Sequence, residues 1–350
     1  MIVGLVTPYY TPSPRGNAVT VARVALGLVG VGATVSVVDL SRSPKSEAFQ
    51  ALARVSPQIV HAFHAFLAGP LALDFARQAG IPLVVSLTGT DANRDLHDPE
   101  RGITVRKVLE GADAVTVFHD SVSGQVVDVL PGIAGKLWVI SQSVRLGREP
   151  YVLSSAIPPR PGGTLFLVPA GIRKVKNVRF TIEPLGRLAA RFPRVKLLFA
   201  GPILEEEEGE CLLAAVARSP WAFYLGPVPH DQMASLLSQV DVVINSSVSE
   251  GGMANSVLEA MSMGRAVLAS DIDGNRSVLQ DGVDGFLYRT PEEFEAKAER
   301  LLLDPELRVR LGNAARLKVL REFTPEREAQ AYHVLYQDLL RTQGGSGNTG

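Results

Sequence analysis

Short β-branched runs alternate with amphipathic stretches along this chain, and the alternation halts once and then restarts. The first series of strand-like runs falls at 2–6, 34–38, 58–61, 83–87, 114–118 and 137–140. Between them lie stretches such as 18–29, whose apolar positions recur at helical spacing. Alternation of this kind argues for an α/β fold with a parallel, doubly wound sheet. Pro150, Pro158, Pro159, Pro161 and the pair Gly162-Gly163 then break the pattern, which is linker chemistry. It resumes at 165–168, 195–200, 221–225, 242–245, 266–270 and 285–288, and from 291 to 341 only helical spacing remains. The expected organisation is a Rossmann-like domain at 1–148, a linker at 149–163 and a second Rossmann-like domain at 164–323. A helix at 324–341 and a Gly/Ser/Asn-rich tail at 342–350, with the composition of a disordered segment, complete it. A length of 350 residues suits two domains. Two such sheets imply a cleft between them, with ligands at the carboxyl ends of the strands.

Composition removes several classes of function. A formal charge of −1 offers no electrostatic basis for binding nucleic acid. The one cysteine, Cys211, excludes an internal disulfide. Residues 2–6 lack the length and basic flank of a signal segment, and no apolar run reaches the ~18 residues of a membrane span. The expectation is a soluble, cytoplasmic protein. The carboxylate run Glu205–Glu208 opens a helix, where negative charge suits the dipole, and reads as a solvated face.

The densest chemistry follows the strand at 242–245, in Ser249-Glu250-Gly251-Gly252-Met253-Ala254-Asn255-Ser256-Val257-Leu258-Glu259. A strand runs into a Gly-rich loop and then a helix. Glycines let backbone approach a ligand, and a helix start offers free N–H groups to phosphate or sugar oxygens. Glu250 and Glu259 flank the loop, and carboxylates accept well from vicinal hydroxyls. An ordinary strand–helix connection would share these features, so the loop alone does not decide. A second segment adds weight: Gly171-Ile172-Arg173-Lys174-Val175-Lys176-Asn177 places three cations in four positions after the strand at 165–168. Arg173 and Lys176 there could clamp a diphosphate.

Other segments are weaker. Gly16-Asn17 follows the first strand, with Asn17 a candidate helix cap and Gly16 open to a ligand. This segment is not a G-x-G-x-x-G, and no second strand fits that fingerprint despite Asp39, which argues against a dinucleotide dehydrogenase. Thr88, Asp91 and Asn93 cluster after the strand at 83–87, His61 and His64 end another strand, and His119 follows a third; these are candidate acceptor-side residues. Two histidines three apart, without a third ligand at suitable spacing, fit a core or cleft-lining role better than a metal site, and no metal or other cofactor is expected. H-E-x-x-H, C-x-x-C, G-x-S-x-G and P-loop motifs are missing from the sequence.

Taken together, these segments resemble the group 1 transferases of glycosyltransferase family 4, which retain anomeric configuration and have the GT-B fold of two Rossmann-like domains facing across a cleft. The resemblance covers most of the chain and is strongest from 169 to 288. It implies that Arg173 and Lys176 bind the donor diphosphate, that Glu250 contacts the sugar and that Glu259 contacts the ribose. It further implies that Gly16 lies beside the phosphates, that Val228 lies near the base, and that the final helix crosses back to the first domain. The family's two glutamates are usually eight apart, whereas these are nine. Either the loop bulges at Gly251-Gly252 and Glu250 keeps its role, which is the favoured reading, or backbone amides of Gly252, Met253 and Ala254 hold the sugar. Thr88-Gly89 stands where many members have His-Gly. The segments Thr88-Gly89-Thr90-Asp91, Asn245–Gly251 and Gly171-Ile172-Arg173 look like the glycosyltransferase 1 domain-containing subgroup. Gly16-Asn17, Glu250-Gly251-Gly252 and Asp273-Gly274-Asn275 are also similar to selenosugar synthases, which use a UDP-sugar and selenophosphate.

The implied activity is transfer of a sugar from a nucleotide-diphosphate donor, such as UDP-glucose or UDP-GlcNAc, to an acceptor the sequence does not identify. Rival readings are a UDP-sugar 2-epimerase, which shares the architecture, and a non-catalytic nucleotide-sugar-binding protein.

Overall fold

The computed structural model describes residues 1–13, 15–153, 157, 163–250 and 252–346. Gly251, the linker positions 154–156 and 158–162, and the tail positions 347–350 therefore lie outside the described residues. The chain divides into two compact units, Met1–Ser143 with Phe323–Gly350, and Val144–Glu322.

In unit 1 the strands are β1 (Ile2–Thr7), β2 (Thr34–Asp39), β3 (Ile59–Phe63), β4 (Leu83–Ser86), β5 (Ala114–Val117) and β6 (Leu137–Val139). Among the described residues they form one sheet in the order β2-β1-β3-β4-β5-β6, every pairing parallel. Parallel pairing brings the carboxyl ends of β1, β3, β4 and β5 to one edge, so the segments that follow them gather there. Strands buried on both faces read as unbroken apolar runs, and β3 to β5 are buried throughout. Successive side chains serve opposite cores. Val85 packs with Val60, Ala62 and Val115 beneath the helices Gly69–Ala79 and Arg101–Gly111, whereas Val84 packs with Val3, Leu5 and Phe63.

That second core is closed by the helices Gly16–Gly30 and Pro325–Ser346, the latter contributing Tyr332, Leu335 and Tyr336, all fully buried. A buried ion pair joins the two helices. Arg23 donates from Nε and Nη2 to Glu328 at 2.8 and 3.0 Å, and Ser143 Oγ donates to the same carboxylate at 2.6 Å. The last helix runs past Arg341, where the sequence placed the start of a disordered tail, to Ser346. Within it the Thr342 hydroxyl donates to Asp338 O at 3.0 Å.

His61, read from sequence as a candidate acceptor-side residue, belongs to this core. It is fully buried, with Nδ1 2.6 Å from Tyr336 Oη and Nε2 2.7 Å from Ser86 Oγ, and it stacks on Phe63. A strand-end histidine is indistinguishable in sequence from one whose ring is consumed by neighbours of remote origin. Burial pushes its pKa down to about 3. In the unfolded chain a histidine titrates near ~6.5. Between those values only the unfolded state binds the proton, so stability rises with pH across this window and is fully present above it. We expect urea unfolding to show a loss of roughly 2 kcal/mol at pH 5 relative to neutral pH. The slope should flatten in His61→Gln; an unaltered slope would contradict the assignment.

Unit 2 contains β7 (Thr164–Pro169), β8 (Val195–Ala200), β9 (Ala222–Tyr224), β10 (Val242–Asn245), β11 (Ala266–Ser270) and β12 (Phe286–Tyr288). Among the described residues their order is β12-β11-β10-β7-β8-β9, again all parallel. Segment 144–151 joins this unit, ahead of the boundary read at 148. Glu149 N–H donates to Asp231 O at 3.0 Å, and Tyr151 N–H donates to Ser235 Oγ at 2.9 Å. Helix Asn255–Ser262 is seated by helix Pro305–Glu322 at a glycine contact: a Cβ on Gly312 would lie 2.0 Å from Gly264 O.

Candidate active site

Two loops of unit 2 meet at the carboxyl ends of β7 and β10. After β7, Arg173 leads into a single turn, Lys174–Lys176, that ends at Asn177 with φ 46°. After β10 comes the loop to Ala254. Val248 N–H donates to Val175 O at 2.9 Å, and Ser246 Oγ donates to Lys176 O at 2.9 Å, so the loops are pinned together. This brings Lys176 Nζ into direct contact with Glu250 Oε1. The same oxygen accepts from Ser247 Oγ at 2.7 Å and Asn245 Nδ2 at 3.2 Å. Burial alone pushes Glu250 up, but the adjacent Lys176 charge and these hydrogen bonds outweigh it and hold the carboxyl below the usual range. Glu250 is therefore an ionised carboxylate at neutral pH.

Read from sequence, Lys176 and Glu250 had separate duties, one for diphosphate and one for sugar; the fold makes them an ion pair. Arg173, on the same loop, has its Nε buried without a hydrogen-bond partner among the described residues. Buried unpaired donors are uncommon, and an anion would satisfy this one. Beside these loops a depression of 270 Å³ is lined by residues that include Asn177, Ser246, Ser247, Ser270 and Tyr288.

Gly251 is outside the described residues, and Gly252, Met253 and Ala254 are buried before the helix starts at Asn255. The short helix Asp273–Arg276 presses on this loop: a Cβ on Gly274 would lie 2.5 Å from Gly252 O and 2.6 Å from Cβ at the base of the Glu250 side chain. Only glycine allows that approach. Glu259, in the second turn of its helix and buried, is 2.9 Å from His230 Nε2. His230 follows Val228 in the half-buried loop after β9 and was missed in the sequence, because a lone loop histidine carries no motif.

In unit 1 the remaining candidates fall at one sheet edge, with different duties. Asn17 is not a cap, since the helix begins one residue earlier at Gly16; its Nδ2 is 3.5 Å from Thr7 Oγ1. Its Oδ1 is buried without a partner among the described residues. Asp91 is fully buried and acts as a loop staple, accepting from the N–H groups of Thr88, Gly89, Ala92 and Ala65 at 2.7–3.2 Å. Its fully buried carboxylate holds the loop's backbone, with His64 Nδ1 3.9 Å from Oδ2. His64 adopts φ 98° and is 2.9 Å from Thr90 Oγ1. Thr88 is half-buried, Asn93 is exposed, and buried His119 is 2.7 Å from Ser121 Oγ. Among the described residues no group of three His, Cys, Asp or Glu is spaced for a metal ion. No described helix is long and apolar enough to cross a membrane.

Residues 154–318 match the family described as Glycosyl transferases group 1. The second unit is a group 1 glycosyltransferase domain. The chain is also 25% identical, over 331 residues, to the glycosyltransferase 1 domain-containing protein 1 of Xenopus tropicalis, covering 93% of this chain and 94% of that one. Sucrose-phosphate synthase of Thermosynechococcus elongatus superposes with TM-score 0.79 at 17% identity, covering 97% and 99% of the two chains. HepE of Anabaena, solved with UDP-glucose, gives TM-score 0.73 at 16% identity, covering 99% and 100%. The chain is thus a glycosyltransferase with the GT-B fold, in agreement with the resemblance read from its motifs.

Proposed function

We propose that this glycosyltransferase moves a sugar, with retention of anomeric configuration, from a UDP-sugar such as UDP-glucose or UDP-GlcNAc to an acceptor lodged against unit 1. The observation that carries the reading is the loop pair of unit 2, where Arg173, Lys176 and Glu250 converge at the carboxyl ends of β7 and β10. HepE, which shares the fold, binds UDP-glucose. Breaking the bond from the anomeric carbon to the diphosphate leaves positive charge on the sugar and negative charge on the departing phosphate. Arg173 and Lys176 stabilise the phosphate electrostatically, and no metal is needed for that task. Glu250 receives hydroxyls of the sugar, and Glu259, held by His230, receives those of the ribose. Front-face attack by the acceptor, with its proton passing to the leaving phosphate, gives retention. The reaction takes place in the cytoplasm.

A thermal-shift comparison of UDP-, GDP- and ADP-sugars tests the donor. Stabilisation grows with ligand concentration over dissociation constant, reaching about 2.7 kcal/mol at a hundredfold excess. UDP-sugars are expected to raise the unfolding midpoint most. Equal shifts from all three nucleotides, or a larger shift from GDP or ADP, would reject the UDP reading.

A further inference from the structure

Glu250 lies at the end of a relay of side-chain amides, and two backbone groups set the direction of that relay. Ser247 N–H can only donate, and it is 3.1 Å from Asn245 Oδ1, so the oxygen of the Asn245 amide is fixed on that side. Its nitrogen must then face Glu250 Oε1, at 3.2 Å. The carbonyl of Ser270 can only accept, so the Asn275 atom 2.9 Å away is Nδ2. That Nδ2 also reaches Asn245 Oδ1 at 3.3 Å and Ser270 Oγ at 3.2 Å. Asn275 is 0% and Asn245 5% exposed, so water cannot readily replace either amide. Ser270 Oγ closes the arrangement by donating to Ser247 O at 2.6 Å.

We propose that Asn245 and Asn275 are positioning residues for Glu250: the Asn275 amide and the Ser247 N–H lock Asn245 so that it can only donate to the carboxylate that Lys176 also grips. The cation facing Glu250 is Lys176. The helix Asp273–Arg276 meets the aliphatic base of the Glu250 side chain through Gly274, and its Asp273 and Arg276 are paired with each other. Neither asparagine touches a donor in this account. They act by fixing the rotamer and charge of a group that does.

The test reverses the polarity of the contact. Asn245→Asp sets a carboxylate oxygen against Glu250 and is expected to lower the unfolding midpoint by roughly 5 °C. Adding Glu250→Gln gives an amide facing a carboxylate, and the midpoint should return close to that of Glu250→Gln alone. Two shifts that simply add would overturn the proposal. If Asn245→Asp does not fold by itself, Asn245→Ala runs the same cycle against Glu250→Gln, and additivity again overturns it. The kinetic arm rests on the donor reading above. Asn275→Ala, which frees the Asn245 amide, is expected to cut donor turnover about tenfold. It should also move the acid limb of the rate–pH profile upward. A fall in midpoint with that limb unmoved would mean that Asn275 only supports the fold. Should no UDP-sugar be turned over by the parent chain, the donor reading fails, while the midpoint cycle still decides the relay.

Discussion

Lys176→Ala is expected to cleave a UDP-sugar donor about 10²–10³-fold more slowly than the parent chain, measured by release of UDP under saturating donor. The loss has two parts. The first is the missing cation at the departing phosphate. The second falls on Glu250, which keeps its burial and loses the charge that opposed it. In the parent chain its depressed pKa contributes stability that is present above the unfolded carboxyl value and lost as pH falls through the folded one. Without Lys176 burial dominates, the carboxyl climbs, and this contribution disappears near neutral pH. The variant should therefore also unfold at a lower midpoint. Lys176→Arg separates the two parts: it restores the charge beside Glu250, and hence the midpoint, while placing a planar fork where a point charge stood. A variant with unchanged turnover would remove Lys176 from the phosphate site.

Glu328→Ala is expected to cost about 3–5 kcal/mol, because it removes the carboxylate that the buried Arg23 guanidinium pairs with. The side chains of this pair are 4% and 2% exposed, so solvent screening gives little relief. For a unit of this size the unfolding midpoint should drop on the order of 10 °C. Replacing both partners, as Arg23→Met with Glu328→Leu, should recover most of the loss, since apolar packing can match a buried pair. If the double variant is no better than Glu328→Ala, the cost lies in the packing of the helix rather than in the lost pairing.

The layout of the molecule was legible because parallel strands covered on both faces leave unbroken apolar runs, and the runs at 83–87 and 242–245 fall within a residue or so of β4 and β10. The site was legible only as separate signals. Arg173, Lys176, Glu250 and Glu259 stood out because two charged segments follow the ends of strands, one of them in a Gly-rich turn, and the pair of signals outweighed what either loop could show alone. That Lys176 and Glu250 would touch depends on how two loops are pinned at Val175–Val248 and Lys176–Ser246, which spacing does not encode. His61 and Asp91 misled for the opposite reason. Polar residues at strand ends look alike in sequence whether they face a ligand, a tyrosine hydroxyl or a row of backbone amides. Asn245 and Asn275 stood in the sequence only as members of family-like segments, with no role of their own, because a buried asparagine matters through which way its amide points.

The last helix has a consequence for how the chain is made. Unit 1 is begun before unit 2 is made, yet Tyr332, Leu335 and Tyr336, which cover one face of its sheet, are made after it. Unit 2 lies wholly between them in the chain. A nascent chain stalled before position 325 holds a complete set of strands for both sheets, but the face of the first that bears Val3, Leu5 and Phe63 is uncovered and Arg23 lacks its carboxylate. Of the two units, the one begun first is therefore the one finished last, and the second can close its core while the first still waits.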